Sequence, residues 1–112
     1  MADGLRRGQF VVIAQQGDYG KPRPALIVQS DLFAELGSVL VCPTTSTILE
    51  GADLFRLTIH PTPENGLRRV SQLAVDKLTP VARLKVGQII GQADAILMER
   101  IERAMALVLG IT

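Results

Sequence analysis

Lys21-Pro22-Arg23-Pro24 sets an arginine between two prolines and opens directly into the apolar run Ala25-Leu26-Ile27-Val28. Each proline fixes its own φ, and the residue ahead of a proline is pushed from helix toward extended backbone. The Arg23 guanidinium therefore stands on a stiff stalk at a predicted strand entrance. Such a group suits phosphate or carboxylate, because its planar fork delivers paired hydrogen bonds. A surface arginine at the start of an edge strand would show the same spacing. Further on, Thr44-Thr45-Ser46-Thr47 places four hydroxyls in a row after a strand-like segment. Such runs bond to the local backbone in ordinary turns, and they also supply small donors to a phosphate. Charge is the third feature. From Arg68 to Lys85 stand Arg68, Arg69, Lys77, Arg83 and Lys85 against one acid, Asp76. A local basic stretch binds phosphates even on a chain whose net charge is only +1. A solvated face accounts for the same counts.

Other chemistries are poorly supplied. Histidine is the usual general base, but His60 sits beside Pro61 with no evident partner nearby in sequence, which argues against that role. Cys42 is the one cysteine; with one histidine it is too little for a structural zinc site, and it cannot form an internal disulfide. Gly20-Lys21 is no P-loop, since no Ser or Thr follows the lysine and a strand comes next. No apolar run is long enough to span a bilayer, and Met1 to Arg7 is short and polar. These features predict a cytoplasmic chain with no membrane association, no metal and no cofactor.

The elements that must position these groups are short. At 112 residues the chain is expected to form a single domain over 1–112. Phe10-Val11-Val12-Ile13-Ala14 reads as a first strand, Ala25 to Gln29 as a second, and Ser38 to Cys42 as a third that Pro43 stops. Phe55 to Ile59 alternates apolar and polar residues, Val70 to Val75 is a further strand, and Gly87 to Gly91 a short last one. His60-Pro61-Thr62-Pro63-Glu64-Asn65-Gly66 is a connection ending in a strong turn pair. From the N-cap Asp94 to Leu109 the pattern is helical, with Leu97, Ile101, Ala104, Met105 and Val108 on one face and Gly110 placed to end it. Several short strands and one terminal helix predict a mainly β fold, a small bent antiparallel sheet or partly open barrel closed by that helix.

Arg7-Gly8, Lys21-Pro22-Arg23-Pro24-Ala25, Cys42-Pro43-Thr44-Thr45-Ser46, Arg69-Val70-Ser71-Gln72 and Asp76-Lys77-Leu78, in that order and ahead of a terminal helix, resemble the MazF/PemK/Kid toxin endoribonucleases of toxin–antitoxin pairs. The resemblance covers nearly the whole chain. It implies an SH3-like bent sheet with a C-terminal helix, a homodimer, a cognate antitoxin partner, and metal-independent cleavage of single-stranded RNA that stops translation. By position it makes Arg23 the catalytic arginine and Thr45 the threonine beside it; Arg69 is either a second cation on the phosphate or a solvated arginine. Kid-type members carry Arg-x-Asp-Gln where this chain has Arg69-Val70-Ser71-Gln72, so the acid is replaced by Ser71. Their first-loop histidine is also missing. Asp76 resembles the later Asp-Lys pair, and is either an acceptor for the 2′-OH proton or a structural carboxylate paired with Lys77. Lys21, Ser46, Ser71, Gln72 and Lys77 are implied RNA contacts, and Tyr19 is either a stacking surface for a base or a ring packed under its own loop.

A second reading belongs to another class. The CcdB-type gyrase poisons share the fold, cleave nothing, and end in a similar Gly-Ile pair, here Gly110-Ile111. Those toxins carry a tryptophan just before that pair, and this chain has none. An inactive SH3-like binding module is the third reading.

Overall fold

The computed structural model describes residues 3–14 and 21–111. Seven strands and one helix follow in chain order: β1 (Gln9–Ala14), β2 (Pro22–Ile27), β3 (Ser38–Thr45), β4 (Arg56–Ile59), β5 (Ser71–Ala74), β6 (Thr79–Ala82), β7 (Ile89–Gln92) and α1 (Ala95–Leu109). All pairings are antiparallel, and the strands run β4-β5-β3-β2-β1-β7 across one sheet, with β6 also paired to β3. On one edge β3 pairs with β6 from Ser38 to Val41 and with β5 at Thr44 and Thr45. One long strand thus serves two short neighbours in succession, and the sheet curls into a half-barrel.

Both faces of the central strands are covered, which explains their near-continuous apolar runs. Phe10, Leu26, Val28 and Cys42 pack with Leu73, Val75, Leu97 and Ile101. Their chain neighbours Val11, Ile13, Ala25, Ile27, Val39 and Val41 form a second cluster with Leu5. Since successive strand residues point to opposite faces, the alternation assigns each residue to one cluster.

Two sequence expectations change, and one strand is new. β2 starts at Pro22 and ends at Ile27, so Arg23 lies within the ladder, opposite Ile13, and not on a stalk ahead of it. β2 pairs with β3 only from Ala25 to Ile27, so Pro22 and Pro24 lie beyond that ladder; the Thr44 hydroxyl donates to the Pro24 carbonyl instead, at 2.7 Å. Pro43 does not stop β3. It falls between the β6 and β5 pairings, so the ladder on that edge loses no bond to the missing N–H. β6 carries no strand signal in the sequence because Pro80 interrupts its four residues, yet Pro80 pairs with Leu40.

The helix matches its sequence signals. The Asp94 carboxylate accepts from the Leu97 N–H at 2.8 Å, and Gly110 ends the helix at φ 74°, the left-handed conformation glycine adopts without a Cβ penalty. The Gly110 N–H donates to Leu107 O and the Ile111 N–H to Ala106 O, so a helix cap accounts for the Gly-Ile ending. Leu97, Ile101 and Ala104 are buried, but Val108 is exposed because the last turn runs past the sheet. No helix among the described residues is long and apolar enough to cross a membrane.

Candidate functional site

A groove of about 610 Å³ opens where the ends of β2, β3, β5 and β7 meet. Lys21 and Arg23 line one side of it. Arg68 and Arg69 line another, from the connection between β4 and β5. Thr44, Ser46, Ser71 and Gln88 supply polar groups, while Val12, Pro22, Pro24, Leu67, Ile89 and Ile90 supply apolar wall. Four cations and no carboxylate line this groove among the described residues, a composition that binds an anion and repels none. Apolar walls beside the cations suit a ligand with flat hydrophobic parts between its charges.

Two local devices deliver these side chains. β2 carries Arg23 on extended backbone that its flanking prolines favour, in register with β1 on one side. The second device is the connection from His60 to Leu67. Gly66 has φ 70°, and a Cβ placed there would lie 2.0 Å from the Ile90 carbonyl oxygen. A Cβ on Gly91 would meet the Asn65 backbone at 2.3 Å. Only glycine at both positions lets the connection lie flat on β7. The Gln92 N–H donates to Glu64 O at 2.8 Å across the same contact.

Five of the ten residues singled out by sequence line the groove: Lys21, Arg23, Ser46, Arg69 and Ser71. Thr45 does not line it, although its neighbours Thr44 and Ser46 do. The register that sets Ala25 opposite Pro43 puts Arg23 and Thr45, two residues further along each strand, on the same face. The Thr45 hydroxyl oxygen accepts from the Thr47 N–H at 3.1 Å and keeps its proton to donate. Tyr19 lies outside the described residues.

Gln72, Asp76 and Lys77 are placed elsewhere. Gln72 is buried, and its amide bonds to both backbone groups of Leu49 and to the Thr58 hydroxyl. That side chain ties the β3–β4 connection to β5 and has no N–H left for a ligand. Asp76 does not pair with Lys77. Both its oxygens accept from Arg56, at 2.8 and 3.1 Å, and Arg56 also lies 5.9 Å above the Phe55 ring. That hydrogen bond, opposed by desolvation, holds the Asp76 carboxyl below its ordinary value and raises the Arg56 guanidinium. Asp76 is a structural carboxylate clamping β4 to the turn after β5, and Lys77 is exposed outside the groove.

A carboxylate with a lowered folded pKa stabilises the fold above its unfolded pKa, and that contribution is lost as pH falls through the folded value. The pair should therefore hold at neutral pH and fail only in acid below the ordinary value of 3.8. Asp76→Asn should lower stability at pH 7 by about 1 kcal/mol after solvent screening, about 4–8 °C in melting temperature for a domain near this size. Thermal unfolding of the substituted and unsubstituted proteins checks this.

His60 lies just past β4, exposed, and does not line the groove. Cys42 is fully buried, and burial, with the Asp76 charge adding to it, pushes its thiol up to about 12. It is neither nucleophile nor ligand. Among the described residues no group of three or more His, Cys, Asp or Glu is placed to hold a metal ion. Sequence reasoning passed over Arg68 as a site residue, and over Gln88. Arg68 was visible as the first of the basic stretch, but nothing marked which of those cations face one another.

The geometry has close relatives. A probable endoribonuclease MazF of Mycolicibacterium smegmatis is 43% identical over 108 residues, which cover 96% of this chain and 98% of that one. The Mycobacterium tuberculosis toxin MazF-mt6 is 25% identical in structure-based comparison, with a TM-score of 0.73 over 89% of this chain and 95% of that one. A mycobacterial endoribonuclease solved with its cognate antitoxin shares the fold at a TM-score of 0.77 and 20% identity, over 97% and 98% of the two chains. The family described as PemK-like, MazF-like toxins of type II toxin–antitoxin systems matches residues 6–109, and this chain, with its curled half-barrel, single C-terminal helix and four-cation groove, belongs to that family.

Proposed function

We propose that this chain, a MazF-type toxin endoribonuclease, cuts single-stranded RNA in the groove of Lys21, Arg23, Arg68 and Arg69 and thereby stops translation. The observation that carries the reading is the groove itself, with four cations and no carboxylate among its described lining. The ribose 2′-OH attacks the adjacent phosphate, forming a 2′,3′-cyclic phosphate as the P–O5′ bond breaks, and the 2′-OH proton ends, net, on the departing 5′-hydroxyl, so the protein need not supply a nucleophile or a metal. Its task is to hold the strand in line and to stabilise charge on the phosphate oxygens. Arg23 stabilises that charge with paired hydrogen bonds, Thr45 donates a hydrogen bond beside it, and Arg69 is the second cation. Lys21, Arg68 and Ser46 hold neighbouring phosphates and sugars, the Ser71 oxygen is left to accept from a sugar hydroxyl, and Tyr19 offers a ring to a base.

The toxin works as a single-domain cytoplasmic homodimer restrained by a cognate antitoxin, whose acidic and apolar side chains occupy the same groove. One set of measurements tests this. Purified protein should weigh twice 12.1 kDa by light scattering at micromolar concentration, and should cut RNA until the antitoxin is added. RNA left whole by the toxin alone, or cut at full rate in the presence of bound antitoxin, would sink the reading.

A further inference from the structure

Arg68 and Arg69 are exposed, and neither forms an ion pair with any described residue. No hydrogen bond or ion pair to a described residue fixes their side-chain ends, so their position in the groove depends on how their backbone is held. Two anchors hold it. On one side the Asn65 side chain, only 6% exposed, organises the whole connection. Its carbonyl oxygen accepts from the Thr62 N–H at 3.0 Å and from the Leu67 N–H at 2.9 Å. Its amide donates to the His60 carbonyl at 3.0 Å, and its backbone N–H donates to the Thr62 hydroxyl at 3.1 Å. On the other side the buried Ser71 hydroxyl donates to the Arg69 carbonyl at 3.1 Å. The two arginines are strung between these anchors, with Gly66 pressed onto β7 beneath them.

We infer that Asn65 is a positioning residue for substrate binding: it locks residues 60–67 into one conformation and so aims Arg68 and Arg69 at the RNA phosphates. The inference rests on the reading of the groove as the RNA site. A loop ordered only by water would let both arginines wander, and each phosphate contact would then carry an ordering cost. The Asn65 side chain makes three hydrogen bonds and its backbone N–H a fourth, and a buried network with each polar atom bonded is rigid. Burial of Leu67 immediately before Arg68 fixes the direction in which the chain leaves the lock.

The test reads phosphate contacts directly. Affinity for an all-2′-deoxy single strand, which keeps every phosphate and offers no 2′-OH, is measured against salt concentration. Each phosphate contact to a single strand contributes about 0.7 to the slope of log affinity on log salt. Arg68→Ala/Arg69→Ala should flatten that slope by about 1.4, the value for two contacts. Asn65→Ala should flatten it comparably while the protein still melts cooperatively, and should add nothing in the double-arginine background. Thr62→Val, at an exposed position, removes only the hydroxyl that holds the Asn65 N–H and should give a smaller change of the same sign.

An unchanged slope in folded Asn65→Ala, with the double-arginine variant flattened, overturns the positioning role and leaves the groove intact. The positioning role is equally overturned if Asn65→Ala flattens the slope to the same extent in the double-arginine background. An unchanged slope in the double-arginine variant removes the groove reading, and the inference with it. If Asn65→Ala does not fold, Thr62→Val decides, and an unchanged slope there overturns the inference.

Discussion

Arg23→Ala should abolish cleavage and leave the fold standing. Removing a preorganised donor that stabilises transition-state charge costs on the order of 10²–10³ in rate. Arg23 is the groove cation with the least backbone freedom. It sits inside the β1–β2 ladder opposite Ile13, between two prolines, while Arg68 and Arg69 stand on a connection. Arg23 is half-buried and belongs to neither apolar cluster, so stability should fall by about 1 kcal/mol. Thr45→Ala should be similarly damaging, through loss of the donor two residues past Pro43 on the same face, and Arg69→Ala less so. The assay is single-turnover cleavage of RNA beside a thermal melt. An Arg23→Ala protein that cuts at the unsubstituted rate would end the mechanism proposed for this groove.

The second large effect lies in the substrate. One 2′-deoxy substitution immediately 5′ of the scissile phosphate should stop cleavage there, because the attacking oxygen is gone. Binding should largely persist, since phosphates and bases are unchanged. The products from ordinary RNA should carry a 2′,3′-cyclic phosphate on one fragment and a 5′-hydroxyl on the other. Activity should also continue in a strong chelator: a metal-assisted route needs ligands, and no group of three or more His, Cys, Asp or Glu is placed for this among the described residues. Mass spectrometry of the fragments and a gel of the substituted strand provide the readout. Cleavage 3′ of the deoxy position, or activity lost in chelator and restored by magnesium, would contradict attack by the ribose oxygen.

Much of the fold was legible because its signals are local. The terminal helix needs only residues within a few positions of one another: a cap at Asp94, an apolar stripe through Leu97, Ile101 and Ala104, and a glycine at 110. The apolar runs at 10–14 and 25–28 announced strands for the same reason. Errors came where a proline's effect depends on what lies across the sheet. Pro43 is harmless because β3 changes partners there, and Pro80 sits within β6 despite its missing N–H. A change of neighbour is invisible to any window of sequence.

The candidate site divides in the same way. Residue types and spacing along the chain marked the candidate groups: Arg23 preset by its prolines, hydroxyls at 44–47 and a basic stretch from 68. Tertiary structure decided which of these groups act together. Arg23 and Arg69 are 46 positions apart, and the curl of the sheet with the Asn65 lock brings both to one groove. Asp76 belongs to the same basic stretch as Arg69, yet Arg56 on the neighbouring strand claims both its oxygens and leaves it outside. Charge and hydrogen-bonding capacity are properties of a residue, but the partner that uses them is set by distances the chain acquires only on folding.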